Sequence, residues 1–188
     1  MMVSMPMRRR FFRVGVTAIV AGAAAGGAAA VPRRASALAD DVARLAFVNT
    51  HTGEKLDVVY REGARYLTDA IAEIDRVLRD HRSGEVFPID RALLDQLDRL
   101  GALLGTGGKP FHVISGYRSP ATNATLAARS HGVATRSLHM SGRAIDVRMP
   151  GVPLATVHRT ALSMGAGGVG FYPRTDFVHL DTGRVRTW

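Results

Sequence analysis

Residues 137–150 read SLHMSGRAIDVRMP: a histidine, a glycine, and then a run in which apolar side chains alternate with others. In an extended strand successive side chains point to opposite faces. Ile145, Val147 and Met149 therefore share one face, and Ala144, Asp146 and Arg148 the other. That sorting predicts a strand over 143–149 with one side against a core and an acid on the other. The same rule applied to FVHLDTG, residues 177–183, groups Phe177, His179 and Asp181 against Val178 and Leu180. If the two strands are neighbours in one sheet, Asp146 and His179 converge. His139 would then reach them from the loop ahead of Gly142.

Working outward, RLAFVNT (44–50) and LDVVYRE (56–62) flank HTGEK, the pattern of a β-hairpin around a glycine-containing turn. Residues 64–82 place Leu67, Ile71, Ile74 and Leu78 at helical spacing, and 90–104 repeat this with Leu93, Leu94, Leu97, Leu100 and Leu104. Asp90 stands where its carboxylate would cap the second helix. From Lys109 onward short runs alternate in type. FHVIS (111–115) reads as a buried strand, ATNATLAARS (121–130) as a helix ended by Gly132, and LATVHRTALSM (154–164) as a helix; VGFYP (169–173) pairs with FVHLDTG. Together they predict an α+β fold. Gly167, Gly168 and Gly170 read as a tight turn before the last strands, because the Lys-Ser/Thr ending of a phosphate loop is missing.

The 188 residues suit a single domain, and the net charge of +9 needs placing before it is interpreted. Six of the 25 basic residues, Arg8, Arg9, Arg10, Arg13, Arg33 and Arg34, lie within residues 1–39, which contain no acid. The remainder has 19 basic against 16 acidic residues, so a nucleic-acid partner loses its main support. Residues 1–39 read as an export signal: a basic start, a weakly apolar Ala/Gly-rich middle, and small residues offering cleavage after Ala37 or Ala39. The pair Arg8–Arg9 followed by Phe11 and Phe12 is similar to a twin-arginine signal, directing a folded domain of residues 40–188 to the periplasm or cell envelope, with membrane contact only through that signal. An uncleaved anchor is the other reading of the segment, although Gly and Ala give it little transfer energy.

No cysteine occurs, so any metal must be held by His and carboxylate side chains. Two imidazoles and one carboxylate, with a fourth position left to water, are the donor set of a catalytic zinc site. Spacing alone leaves a second reading open, a surface histidine hydrogen-bonded to a strand-end aspartate.

The wider pattern adds to this. SGYRSPATNATLAARSHGVATRSLHMSGRAIDVRMPG (115–151), followed by GGVGFYPRTDFVHLDTGRVRTW (167–188), resembles the zinc peptidases of bacterial cell walls that share SGYRS and SxHxxGxAxD motifs: D-Ala-D-Ala carboxypeptidases, dipeptidases and murein endopeptidases. The likeness covers roughly 109–188 and is nearest to the twin-arginine-exported murein endopeptidase branch. It implies a small antiparallel sheet with helices on one side, around a hedgehog/D-Ala-D-Ala-peptidase-like zinc core. It also implies Zn2+ held by His139, Asp146 and His179, with Arg118 of SGYRS stabilising an oxyanion or holding a substrate carboxylate. An acid three residues before the last histidine, the general base in related enzymes, falls on Asp176, which reads equally as a turn residue. Asp181 reads as a partner orienting an imidazole. Tyr117 and Tyr172 read as cleft or packing residues, Tyr117 being the candidate for substrate binding.

The implied activity is hydrolysis of peptide cross-links in peptidoglycan by a monomer acting on peptide stems. Two alternatives stay open: a D-Ala-D-Ala carboxypeptidase or dipeptidase, and a non-catalytic cell-wall-binding domain stabilised by zinc. His51, His81 and His158 read as solvent-facing, His112 as hydrogen-bonded in its strand, and His131 as a helix-end residue.

Overall fold

The computed structural model describes residues 42–129 and 134–188. The expected export signal, residues 1–39, and His131 lie outside the described residues, as do Ser130 and Gly132. Chain order is β1 (Val42–Asn49), β2 (Lys55–Glu62), β3 (Arg65–Tyr66), α1 (Thr68–Val77), α2 (Arg91–Leu103), β4 (Phe111–Ser115), α3 (Pro120–Arg129), a single 3-10 turn (Leu138–Ser141), β5 (Ala144–Arg148), α4 (Leu154–Met164), β6 (Gly168–Tyr172), β7 (Phe177–Asp181) and β8 (Arg186–Thr187). The fold is α+β.

The strands form one eight-stranded sheet in the order β3-β2-β1-β4-β5-β7-β6-β8. It is neither small nor purely antiparallel, which corrects the expectation: β1 pairs in parallel with β4, and β6 with β8. A parallel pairing needs a long crossover, and the chain between β1 and β4 supplies one containing β2, β3, α1 and α2. The predicted helix over 64–82 is shorter, because Arg65 and Tyr66 turn back to pair with Glu62 and Arg61. Gly63, at φ +56°, makes that second hairpin turn. Nor do the glycines at 168 and 170 form a turn; they are strand residues of β6.

The apolar faces meet as the alternation requires. Ile145 and Val147 from β5 and Val178 and Leu180 from β7 are fully buried, packed in one core with Leu93 and Leu97 of α2 and Val157 and Ala161 of α4. Asp90 caps α2 by accepting from the Ala92 N–H at 3.0 Å, and its other oxygen accepts from the Thr182 hydroxyl at 2.7 Å. This ties the helix start to the chain just after β7. With helices covering one face of β5 and β7, the other face is left for a cleft.

Candidate metal centre

Register delivers two of the three candidate ligands. β5 and β7 are antiparallel neighbours, and Asp146 lies directly opposite His179. His139 comes from the 3-10 turn, which ends at Gly142 in the left-handed conformation, φ +65°. A side chain at 142 would run into the Pro88 carbonyl, so glycine is required on two counts. One ligand atom from each of His139, Asp146 and His179 lies within 4.8 Å of the others. The closest approaches are His179 Nδ1 to Asp146 Oδ1 at 2.9 Å, His139 Nε2 to Asp146 Oδ2 at 3.3 Å, and His139 Nε2 to His179 Nδ1 at 3.3 Å.

Protons on the two rings are assigned by what lies behind them. His139 Nδ1 is 2.7 Å from the carbonyl oxygen of Gly116, and His179 Nε2 is 3.1 Å from Asp181 Oδ2. Both neighbours only accept, so each of these nitrogens carries the hydrogen. In the neutral rings, the nitrogens that face one another then bear lone pairs, beside a carboxylate. Three electron-rich atoms turned toward one space are stable only with a cation among them, a proton or a metal. With no metal present, burial would lower the His179 pKa, but hydrogen bonds to Asp146 and Asp181 outweigh it and raise the value. Burial opposes ionisation of Asp146, and the two imidazoles outweigh it, holding this carboxyl well below the usual range. The donor set of two imidazole nitrogens and one carboxylate fits zinc, with tautomers already fixed for ligation.

Asp181 is completely buried and fully engaged. Its Oδ1 accepts from the N–H groups of Gly168 and Gly183, at 3.0 and 2.8 Å, and its Oδ2 faces Arg186 Nη2 at 2.7 Å as well as His179. Burial raises its pKa less than these partners lower it, so it stays ionised. Glycines at 167 and 168 leave the room: a β-carbon at 168 would fall within 2.5 Å of Asp181 Oδ2.

Arg118 follows β4 and lines the same cleft, a cavity of about 480 Å³. Its Nη2 is 3.6 Å from Asp146 Oδ2 and 3.3 Å from Ser115 Oγ, and its buried Nε has no hydrogen-bond partner among the described residues. Burial lowers its pKa, a tendency the Asp146 charge opposes. The loop carrying it is clamped by the chain just after α1. Tyr117 N–H donates to the Leu78 carbonyl, and Ser119 N–H to buried Asp80. Nothing in the spacing of the sequence pointed to Asp80, Gly116 or Arg186; their signal is three-dimensional.

Two candidates are placed elsewhere. Asp176 does not line this cleft. Its carboxylate is 61 % exposed and pairs with Arg148 at 3.2 Å in a separate depression with His112. With φ +53° it occupies the turn between β6 and β7, in keeping with the turn reading that the sequence left open beside that of general base. Tyr117 is buried, stacked on Phe87 with ring centroids 4.8 Å apart, and donates its hydroxyl to Glu85 at 2.8 Å. It is a packing residue, whereas Tyr172 does line the cleft. The other histidines are less bland than expected. His51 and His81 stack at 3.9 Å, and His158 lies over Phe171 at 4.7 Å.

A mixed sheet carrying a His–Asp–His cluster that could hold a metal is an arrangement suited to a metallopeptidase. The chain belongs to the family described as peptidoglycan L,D-endopeptidase MepK, whose model matches residues 37–188. It is 48 % identical over 140 residues to the peptidoglycan L,D-endopeptidase MepK of Escherichia coli K12, covering 74 % of this chain and 76 % of that protein. The match to the corresponding Shigella flexneri protein has the same extent. To the probable peptidoglycan L,D-endopeptidase MepK of Haemophilus influenzae it is 40 % identical over 144 residues, 77 % of each chain.

Proposed function

We propose that the protein is a zinc-dependent peptidoglycan endopeptidase that acts in the periplasm on L,D cross-links between peptide stems, after export through residues 1–39. The observation that carries the reading is the convergence of two imidazole lone pairs and the Asp146 carboxylate at the floor of an open cleft. His139, Asp146 and His179 would hold the ion. Zinc, when bound, supplies Lewis acidity, lowering the pKa of water toward neutrality and polarising a carbonyl.

The chain's own groups do the rest. Gly116 and Asp181 hold the imidazole hydrogens away from the cleft, so both rings remain donors through repeated turnover. Arg118, with little solvent around it, is placed to stabilise negative charge developing on a substrate oxygen, and such a charge is worth most where water is excluded. Among the described residues lining the cleft, the only side-chain carboxylates are those of Asp146 and Asp181. The second is saturated, leaving it a positioning role. Among the described residues no helix is long and apolar enough to cross a membrane.

The test is mass spectrometry of purified muropeptides and sacculi incubated with zinc-loaded protein lacking residues 1–39, with His139→Ala as control. Cross-linked dimers should be converted to monomers by the first and not by the second. Trimming of monomers without loss of dimers would make it a carboxypeptidase. No turnover of either would leave a wall-binding domain.

A further inference from the structure

The strand order lays the cleft out in a line. Arg118 follows β4, Asp146 is on β5, His179 on β7, Tyr172 on β6, and Trp188 lies just past β8. Strands sit about 4.8 Å apart, so the five backbones span roughly 19 Å, and from the far end the Trp188 indole reaches back over Gly170 toward His179. An extended peptide lying along that line would have cationic Arg118 at one end and an aromatic surface at the other. The ion ligands fall between.

Trp188 heads that surface and is built into place. The Phe171 N–H donates to its carbonyl at 3.0 Å, its indole N–H donates to the Tyr172 hydroxyl at 2.7 Å, and the Arg186 guanidinium lies over its ring at 4.7 Å. Gly170 makes the room, since a β-carbon there would come within 2.8 Å of the indole. The ring centroid is 5.2 Å from that of His179. Despite these restraints the residue is 48 % exposed, and it lines the cleft. A large flat ring, with its polar atom satisfied and its position fixed from two sides, has been left open to solvent beside the reacting centre. That arrangement suits contact with a ligand better than packing.

We propose that Trp188 is a specificity-determining residue that touches substrate. Its indole is the platform for the methylene chain of the cross-linking diamino acid, holding the adjoining amide over the ion ligands. This rests on the peptidoglycan reading above.

The experiment compares zinc-loaded wild type, Trp188→Ala and Trp188→Phe on purified cross-linked muropeptide dimers, together with zinc affinity by competition with a chromophoric chelator. The alanine variant should show KM raised about tenfold with kcat within about threefold, the phenylalanine variant should recover most of the loss, and zinc affinity should stay unchanged. Trp188 is the single tryptophan of the chain. Emission of chelator-treated wild type should therefore shift when dimers are added, and this readout needs no turnover. Unchanged KM in Trp188→Ala, or zinc affinity lost in step with activity, overturns the proposal; the latter makes the indole a support for His179. If the wild type cuts no dimers the functional reading fails. In that case a dimer-dependent emission shift supports the platform, and its absence refutes it.

Discussion

His139 Nδ1 lies 2.7 Å from the carbonyl oxygen of Gly116, a contact between a turn and a loop 23 residues apart. It dictates which nitrogen of the ring is free to ligate. Gly116 can approach because it has no side chain: a β-carbon there would strike the Leu78 carbonyl. Gly116→Ala must displace the loop, taking with it both the carbonyl behind His139 and the Arg118 side chain. Zinc affinity should fall by about 10- to 100-fold, the usual cost of losing such a support, as read by chelator competition.

Asp181→Asn tests the matching support on His179. The amide keeps the shape and loses the charge that faces both the imidazole and Arg186. Zinc affinity is expected to drop by about 10- to 100-fold. Unchanged affinity would mean that the His179 tautomer is held by something else.

Asp176→Ala separates turn from base. Its ion pair with Arg148 is exposed, and such pairs are worth about 0–1 kcal/mol. Activity on muropeptide dimers and zinc affinity should both stay within about twofold of wild type. A loss of orders of magnitude would restore Asp176 to the mechanism.

Acid stability should fall in two stages. Burial and the neighbouring His51 and Arg82 push the His81 pKa down to about 4, although Asp80 pulls the other way. Between its ordinary value of about 6.5 and about 4 the unfolded chain binds a proton that the folded chain refuses, so stability is lost as pH drops through that window. The Asp80 pKa is lowered as well, but in an acid this favours the charged form. Burial raises its pKa, but hydrogen bonds from Thr122, Ser119 and Arg82 outweigh this and hold it well below the usual range. Its contribution is present above the ordinary carboxylate range and disappears below about pH 4. Melting curves from pH 7 to 3 should show both losses, and His81→Gln should remove only the first.

Core truncation gives the scale for these effects. Leu97 on α2 is fully buried in the cluster beneath β5 and β7. Leu97→Ala should cost about 2–5 kcal/mol in chemical denaturation.

What could be read from the chain alone follows from how local each signal is. The alternation in 143–149 and 177–183 placed Asp146 and His179 on one face of neighbouring strands, because burial of Ile145, Val147, Val178 and Leu180 imposes period two. The caps and spacings of α2 were equally local. The two-residue strands β3 and β8 carry no periodicity, and the parallel pairing of β1 with β4 joins segments more than sixty residues apart, so neither left a pattern to find. Asp176 stayed open between base and turn residue because an acid at a fixed spacing says nothing about which side of a turn it leaves. The glycines at 167, 168 and 170 looked like a bend, and are gaps that Asp181, Arg186 and Trp188 fill.

The direct pairing of Asp146 with His179 has one more consequence. Sliding β5 along β7 by a single position would send the acid to the opposite side of the sheet and bring Ile145 out toward the cleft. Correct strand alignment and assembly of the ion-binding cluster are thus a single event. A divalent ion held by these three residues would bind only the properly aligned chain, and so would act as a proofreader of folding.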